Sequence, residues 1–311
     1  SMQIRSGNTA FAMSGAVLIH WWGYHFARTG DGECLEWAQA MADKWHAVQH
    51  PESGLLPHAF RVDEQDGKLV MQPWPFVTTN ETTTAVVLLQ AADELRKRPE
   101  GNALSEQVAG MGRGLLQAMA RHHYDSRRRF FPQWLHLDGK VCEECVNYTF
   151  HSQAEKDAAL EQHPEAEEVD VFPGAGFYSV GPWSLGAQNL CPYELTLGAS
   201  LTSDARVLAH VEGMAADLME EAGKLTSEFN AWGQWTYPAN ALYIKMMLLL
   251  RGMTGKDTYL DWAGQLADLE LELLNRPLPA GKPEWWRMPF RSDLLEALLL
   301  LHRGLNGAEQ G

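Results

Sequence analysis

"TGDGECLEWAQAMAD", residues 29–43, and "TGKDTYLDWAGQLAD", residues 254–268, align without a gap and match at Thr, Gly, Leu, Trp, two Ala and Asp. A fainter third copy is "TSDARVLAHVEGMAAD", residues 202–217. An apolar run precedes each: "FAMSGAVLIHWWGYHFAR", "ANALYIKMMLLLRGM" and "CPYELTLGASL". The repeating unit is a helical hairpin in which a nearly all-round apolar helix ends at a Thr-Gly turn and an amphipathic helix returns.

A helix apolar on most sides must be enclosed, whereas a partner with one charged face can lie outside it. On that criterion inner helices fall near 8–27, 81–97, 184–200, 237–252 and 290–304. Outer helices fall near 32–48, 103–122, 204–223 and 257–274. Alternating inner and outer helices predict an all-α fold, an α/α toroid, with an open solenoid as the competing arrangement. Only about five inner helices are legible, which suits an incomplete ring.

The connections are unequal. Inner-to-outer turns are tight, while outer-to-inner connections such as "HPESGLLPHAFRVDEQDGKLVMQPWPFVTTN", "TSEFNAWGQWTYPAN" and "NRPLPAGKPEWWRMPFRSD" are long and rich in Trp and Pro. Long loops of this kind are usually functional, so one end of the toroid is the expected site. Residues 124–180 read as an insertion containing a small β-hairpin in "RRRFFPQWLHLDGKVCEEC", around an Asp-Gly turn, and an acidic helix or flap at 152–170. The expected domain is a single toroid over 1–311, and the leading Ser-Met leaves room for a removed upstream segment.

Of the 311 residues 45% are hydrophobic, enough for a large core, and the formal net charge is -15. That charge argues against nucleic-acid and anionic-membrane partners, which need clustered Lys and Arg. Only Arg127, Arg128 and Arg129 cluster, and a solvated turn explains them. No uninterrupted apolar run is long enough to span a bilayer. No signal peptide is visible, so the expected location is periplasmic or secreted if one was removed and cytoplasmic otherwise. The four cysteines, Cys34, Cys142, Cys145 and Cys191, are too few for a disulfide scaffold. Cys142, Cys145 and His151, with Cys191 as a fourth, have metal-ligand spacing, yet a lone CxxC is a weak zinc signal. No cofactor is required by this reading.

The hairpin pattern TGxxxYLxWAxxLAD, "HPESGLLP" and "YDSRRRFFPQWLHLDGK" resemble the α/α-toroid carbohydrate-active enzymes, which include six-hairpin glycosidases and lyases of pectate, alginate and glucuronan type. The resemblance covers most of the chain and lies in helix grammar, with no catalytic signature of one family. It implies a polysaccharide or oligosaccharide substrate and a cleft lined by the starts of inner helices and by aromatic platforms.

Trp74, Trp183, Trp232, Trp235, Trp285 and Trp286 all lie on the loop side, where an indole can stack on a sugar ring. β-Elimination from a uronate needs a base, donors for the enolate and an acid for the leaving oxygen. His58, Tyr178 and Tyr237 are the candidate acids and bases. Arg291 and Arg287, with Asn80, are candidates to hold the carboxylate, because a guanidinium grips one bidentately. Packing or capping explains each of these singly; their shared end of the fold is the argument. Hydrolysis needs two carboxyls, for which Glu81, Asp293, Glu228 and Glu194 are available, with Glu81 and Asp293 the foremost pair. A glycan-binding toroid without catalysis is the third reading. The threonine-rich "TTNETTT", 78–84, exceeds what capping requires and places Asn80, Glu81 and Thr82 on a polar rim as ligand contacts.

Overall fold

The computed structural model describes residues 8–10, 15–57, 59–62, 69–72, 76–122, 134–141, 153–161, 164, 167, 179–180, 183–232, 236–275 and 291–308. Among these, side chains are described for 15–57, 81–122, 135–141, most of 153–167, 192–220, 241–272, 275 and 294–305. In chain order the elements are β1 (Asn8–Ala10), α1 (Ala16–Thr29), α2 (Gly32–His46), β2 (Ala59–Val62), β3 (Leu69–Gln72), β4 (Phe76–Val77), α3 (Thr78–Leu95), α4 (Asn102–His122), β5 (Trp134–Leu135), α5 (Gln153–Leu160), β6 (Ser179–Val180), β7 (Trp183–Ser184), α6 (Leu185–Thr202), α7 (Ala205–Trp232), α8 (Thr236–Thr254), α9 (Thr258–Asn275) and α10 (Arg291–Ala308).

The turn that decides the fold has the same chemistry in all three copies. Thr29 Oγ1 donates to the His25 carbonyl and accepts from Asp31 N–H; Thr202 does so with Gly198 and Asp204, and Thr254 with Leu250 and Lys256. Each threonine thereby closes its helix and captures the first amide of the return. The next residue adopts the left-handed conformation that stops a helix, at Gly30 (φ 75°) and Gly255 (φ 72°). In the faintest copy the position is held by Ser203 (φ 53°), which keeps the geometry at a steric cost. Asp31 and Asp204 then cap α2 and α7 by accepting backbone amides.

The hairpins assemble as an α/α toroid. Inner helices pack in the sequence α1, α3, α6, α8, α10, and α2, α4, α7 and α9 lie outside their own inner partners. Among the described residues α1 and α10 share no substantial contact, so the inner helices form an arc. The core lies between the layers. Leu104, Val108, Met111, Leu115 and Met119 of α4 are buried at helical spacing against Ala85, Leu88, Leu89 and Ala92 of α3. Polar contacts tie successive outer helices: Gln107 donates to Asp43 and accepts from Gln39, Gln117 donates to Asp204 at the head of α7, and Lys256 and Tyr259 donate to Glu212.

Helix positions follow the hydrophobic pattern with two corrections, one being that α7, expected to end near 223, runs on to Trp232 and α8 begins at Thr236, so that most of "TSEFNAWGQWTYPAN", expected as a long loop, is helical. The expected first helix at 8–27 begins at Ala16, because Asn8–Ala10 forms the edge of an antiparallel sheet in the order β1-β2-β3. The expected hairpin turn at Asp138-Gly139 is present. His136 N–H donates to Lys140 O, and Gly139 has φ 88° with its α-carbon against the His122 ring, where a side chain would clash. Ser53 of "HPESGLLP" donates to Leu137 O, and Arg121 donates to Ser53 O, so loop, hairpin and the end of α4 form one clamp. β4 pairs with β5 of this hairpin and runs directly into α3, which fixes the approach to the threonine-rich turn. Within the acidic stretch at 152–170 a helix, α5, forms.

Candidate active site

Since α3 is flanked by α1 and α6 and backed by α4, solvent reaches its described side chains along Thr83, Val87, Gln90 and Glu94, and at Asp93 near its end. That i, i+4, i+7, i+11 stripe is the axial face of the toroid. On α6 the matching stripe is Tyr193, Leu197 and Ser200, and on α8 Leu242 and Leu249 bracket Lys245.

Glu194 sits at the seam between α3 and α6, 8% exposed. Thr82, fully buried, donates a short hydrogen bond to its Oε2, and Thr83 on the axial stripe donates to its Oε1 at 2.6 Å. One carboxyl oxygen is therefore pinned inside the wall while the other borders the axis. Burial lifts the carboxyl to about 7, against the opposing pull of the two hydroxyls. An ionisable group buried in mid-helix caps nothing and gains nothing from apolar packing. At neutral pH it is divided between acid and conjugate base, the condition under which a group serves proton transfer in either direction.

Glu81, one residue before Thr82, is 1% exposed, and burial holds its carboxyl well above the usual range. Its Oε2 meets no hydrogen-bond partner among the described residues. Next to Glu194 in sequence, the Tyr193 ring faces the Lys245 ammonium, 5.8 Å from its centroid. Lys245 Nζ donates to Glu296 Oε2 on α10 at 2.5 Å. Four inner helices thus contribute polar side chains to two linked groups, Thr82, Thr83 and Glu194 on one side of α6 and Tyr193, Lys245 and Glu296 on the other.

The residues singled out from sequence divide by place. Asn80 lies in the first turn of α3, Tyr237 in that of α8, Arg291 and Asp293 in that of α10, and Trp183 in β7 immediately before α6; their side chains, with those of Trp232, Glu228 and Cys191, lie outside the described ones. These positions are at the starts of inner helices, whereas the threonine turns lie at the ends of α1, α6 and α8. His58, Trp74, Cys142, Cys145, His151, Tyr178, Trp235, Trp285, Trp286 and Arg287 lie outside the described residues. Sequence reasoning named Glu194 without ranking it and missed Tyr193, Lys245 and Glu296. A lone lysine within "ANALYIKMMLLL" was the available signal.

Among the described residues one group has metal-ligating atoms close together, His25, Asp31 and Cys34, within 4.8 Å of one another. The turn accounts for it. Asp31 is the cap of α2 and accepts from the buried Cys34 thiol, whose pKa is raised first by burial and then by Asp31. No helix among the described residues is long and apolar enough to cross a membrane.

No protein-family model matches the chain, and no curated protein does. The fold is similar to that of cellobiose 2-epimerase from Spirochaeta thermophila DSM 6192, with a TM-score of 0.50 and 13% identity over 96% of this chain and 72% of that one. It also matches a D-mannose isomerase (TM-score 0.48, 12% identity, 86% of this chain) and an unsaturated glucuronyl hydrolase specific for heparin (0.46, 15%, 88%). The chain spans 59% of the isomerase and 67% of the hydrolase. At such identities the likeness is one of fold, and the shared architecture is the α/α toroid.

Proposed function

We propose that this chain is a carbohydrate-active enzyme in which Glu194 carries the proton of the reaction. The observation that supports it is a buried carboxyl at the axial seam of two inner helices, one oxygen pinned by Thr82 and the other beside axial Thr83. The α/α toroid is also the architecture of the sugar-acting enzymes it resembles. The reaction we favour is β-elimination on a uronate-containing glycan. The Glu194 carboxylate takes the proton α to the sugar carboxyl, the electron pair forms the new C=C bond, and the glycosidic oxygen leaves with a proton from a second group. Tyr178, Tyr237 and His58 are the proposed donors for that second transfer. Arg291 and Arg287 are proposed to neutralise the enolate, and Asn80 and Asp293, with Trp74, Trp183, Trp235 and Trp286, to contact the sugar, whereas Glu81 and Thr82, expected on the rim, are enclosed in the wall behind Glu194.

Hydrolysis is the second reading. It is favoured by Glu81 and Glu194 being two buried carboxyls held above their ordinary range on adjacent inner helices. A panel of uronate-containing and neutral polysaccharides separates the two. Elimination produces an unsaturated, ultraviolet-absorbing sugar, whereas hydrolysis produces reducing ends without that absorbance. With Glu194 as base, kcat/KM rises with pH toward about 7 and levels off; as acid, it falls through the same region. Turnover unchanged in Glu194→Gln would remove the proposal in both forms.

A further inference from the structure

Lys245 is the one charged residue in the apolar run from Ala239 to Leu250. Its side chain is 9% exposed, and lysines are seldom so enclosed without a counter-ion. Its counter-ion is arranged unequally: Glu296 leaves 61% of its side chain in solvent while its Oε2 reaches in to the ammonium at 2.5 Å. A pair made only for stability would be better replaced by apolar packing, given the cost of desolvating a cation inside a helix layer. What the arrangement provides is an enclosed cation between α8 and α10, partnered by a carboxylate on the neighbouring helix that water already reaches. The Tyr193 ring flanks the same ammonium at 5.8 Å and belongs to the axial stripe of α6, adjacent in sequence to Glu194.

We propose that Lys245 and Tyr193 form a subsite for an acidic sugar, Lys245 binding its carboxylate and Tyr193 its ring face, with Glu296 the carboxylate that the sugar displaces. The chemistry is exchange of one carboxylate for another on a fixed ammonium, so no net charge is newly buried. A carboxylate carried on a pyranose adds ring contact with Tyr193 that Glu296 lacks, which favours the exchange. A neutral sugar leaves the ion pair intact and gains only the ring contact. The subsite therefore selects uronic over neutral sugars. This rests on the reading of the axial face as a sugar site and adds the group that reads the substrate's charge.

The test is calorimetric titration of the full chain with sodium glucuronate, with glucose as the neutral control. Removing the competing carboxylate in Glu296→Gln should tighten glucuronate binding about tenfold and leave glucose unchanged. Lys245→Met should weaken glucuronate by tenfold or more, the size expected for loss of a charge-assisted contact, again without effect on glucose. Where Lys245→Met does not fold, Glu296→Gln decides, since the amide keeps the shape of the side chain and an oxygen that accepts from the ammonium. Glucuronate binding that is absent, or the same in Glu296→Gln as in the parent, overturns the subsite. Glu194→Gln distinguishes the two readings: it should abolish turnover with glucuronate binding intact. If the titrations behave as expected while no glycan is cleaved, the subsite stands and the proposed reaction fails.

Discussion

Glu194 illustrates how a functional residue can be visible in a sequence and still be unranked. In "CPYELTLGASL" it is one acid in an apolar helix, and a salt bridge or an exposed edge would account for it equally well. Its distinction comes from Thr82 and Thr83, more than a hundred residues earlier, and the tertiary pairing of α3 with α6 is invisible to local pattern. The surplus threonines of "TTNETTT" were legible as an anomaly; their partner was not. The folded carboxyl, at about 7, lies above its unfolded value near 4.5, so the folded state holds the proton more tightly. The cost of ionising it is absent below the unfolded value and complete above the folded one, reaching roughly 3 kcal/mol by linkage. Glu194→Gln should therefore raise the midpoint of thermal unfolding at pH 8, change it little at pH 4, and eliminate turnover at both. A midpoint that shifts equally at the two pH values would mean that the carboxyl is not held near 7. Stability gained where activity is lost is the signature expected of a group kept for chemistry.

At the level of elements the hairpin repeat carried most of the fold, because its turn depends on local hydrogen bonds that recur wherever the residues recur. Thr29, Thr202 and Thr254 bond alike, and only the left-handed residue differs. Ser203→Gly should stabilise the chain by about 0.5–1 kcal/mol through relief of the left-handed strain. Gly255→Ala should cost about 1 kcal/mol, since a β-carbon there meets nothing within 4 Å and the backbone alone is tested. Urea unfolding of both variants checks the signs. The β2–β3 hairpin was less legible: Ala59–Val62 and Leu69–Gln72 are short, and the Asp66-Gly67 signal between them sits within a long polar stretch. The clamp centred on Ser53 could not be read at all, because its bonds reach Leu137 and Arg121 across the fold. Ser53→Ala should cost about 1–2 kcal/mol, as it leaves the Leu137 carbonyl without its donor. It should also lower kcat more than it raises KM, because the clamp sets the course of β4 into the threonine-rich turn.

Over the whole molecule two sets of carboxyls pull stability in opposite directions with pH. Asp43, Asp204 and Glu212 tie the outer helices together and are held below the ordinary carboxylate range, by hydrogen bonds from Gln107 and Gln39, from Gln117, and from Lys256 respectively. Their contribution is present above the unfolded carboxylate values and is lost as pH falls through their folded ones. Glu81 and Glu194, enclosed in the inner layer, are held above that range chiefly by burial, and their cost grows as pH rises from the unfolded value. The outer ties therefore fail on the acid side and the inner acids are ionised at a penalty on the other. Thermal stability should peak at mildly acidic pH, about 5, and decline on both sides. The two limbs should be separable by mutation. Gln117→Ala and Gln107→Ala should flatten the acid limb without touching the limb above pH 6, and Glu194→Gln the reverse. A single limb abolished by both kinds of change would mean that inner and outer layers do not titrate independently, contrary to a toroid in which the outer ties are exposed and the axial acids are enclosed.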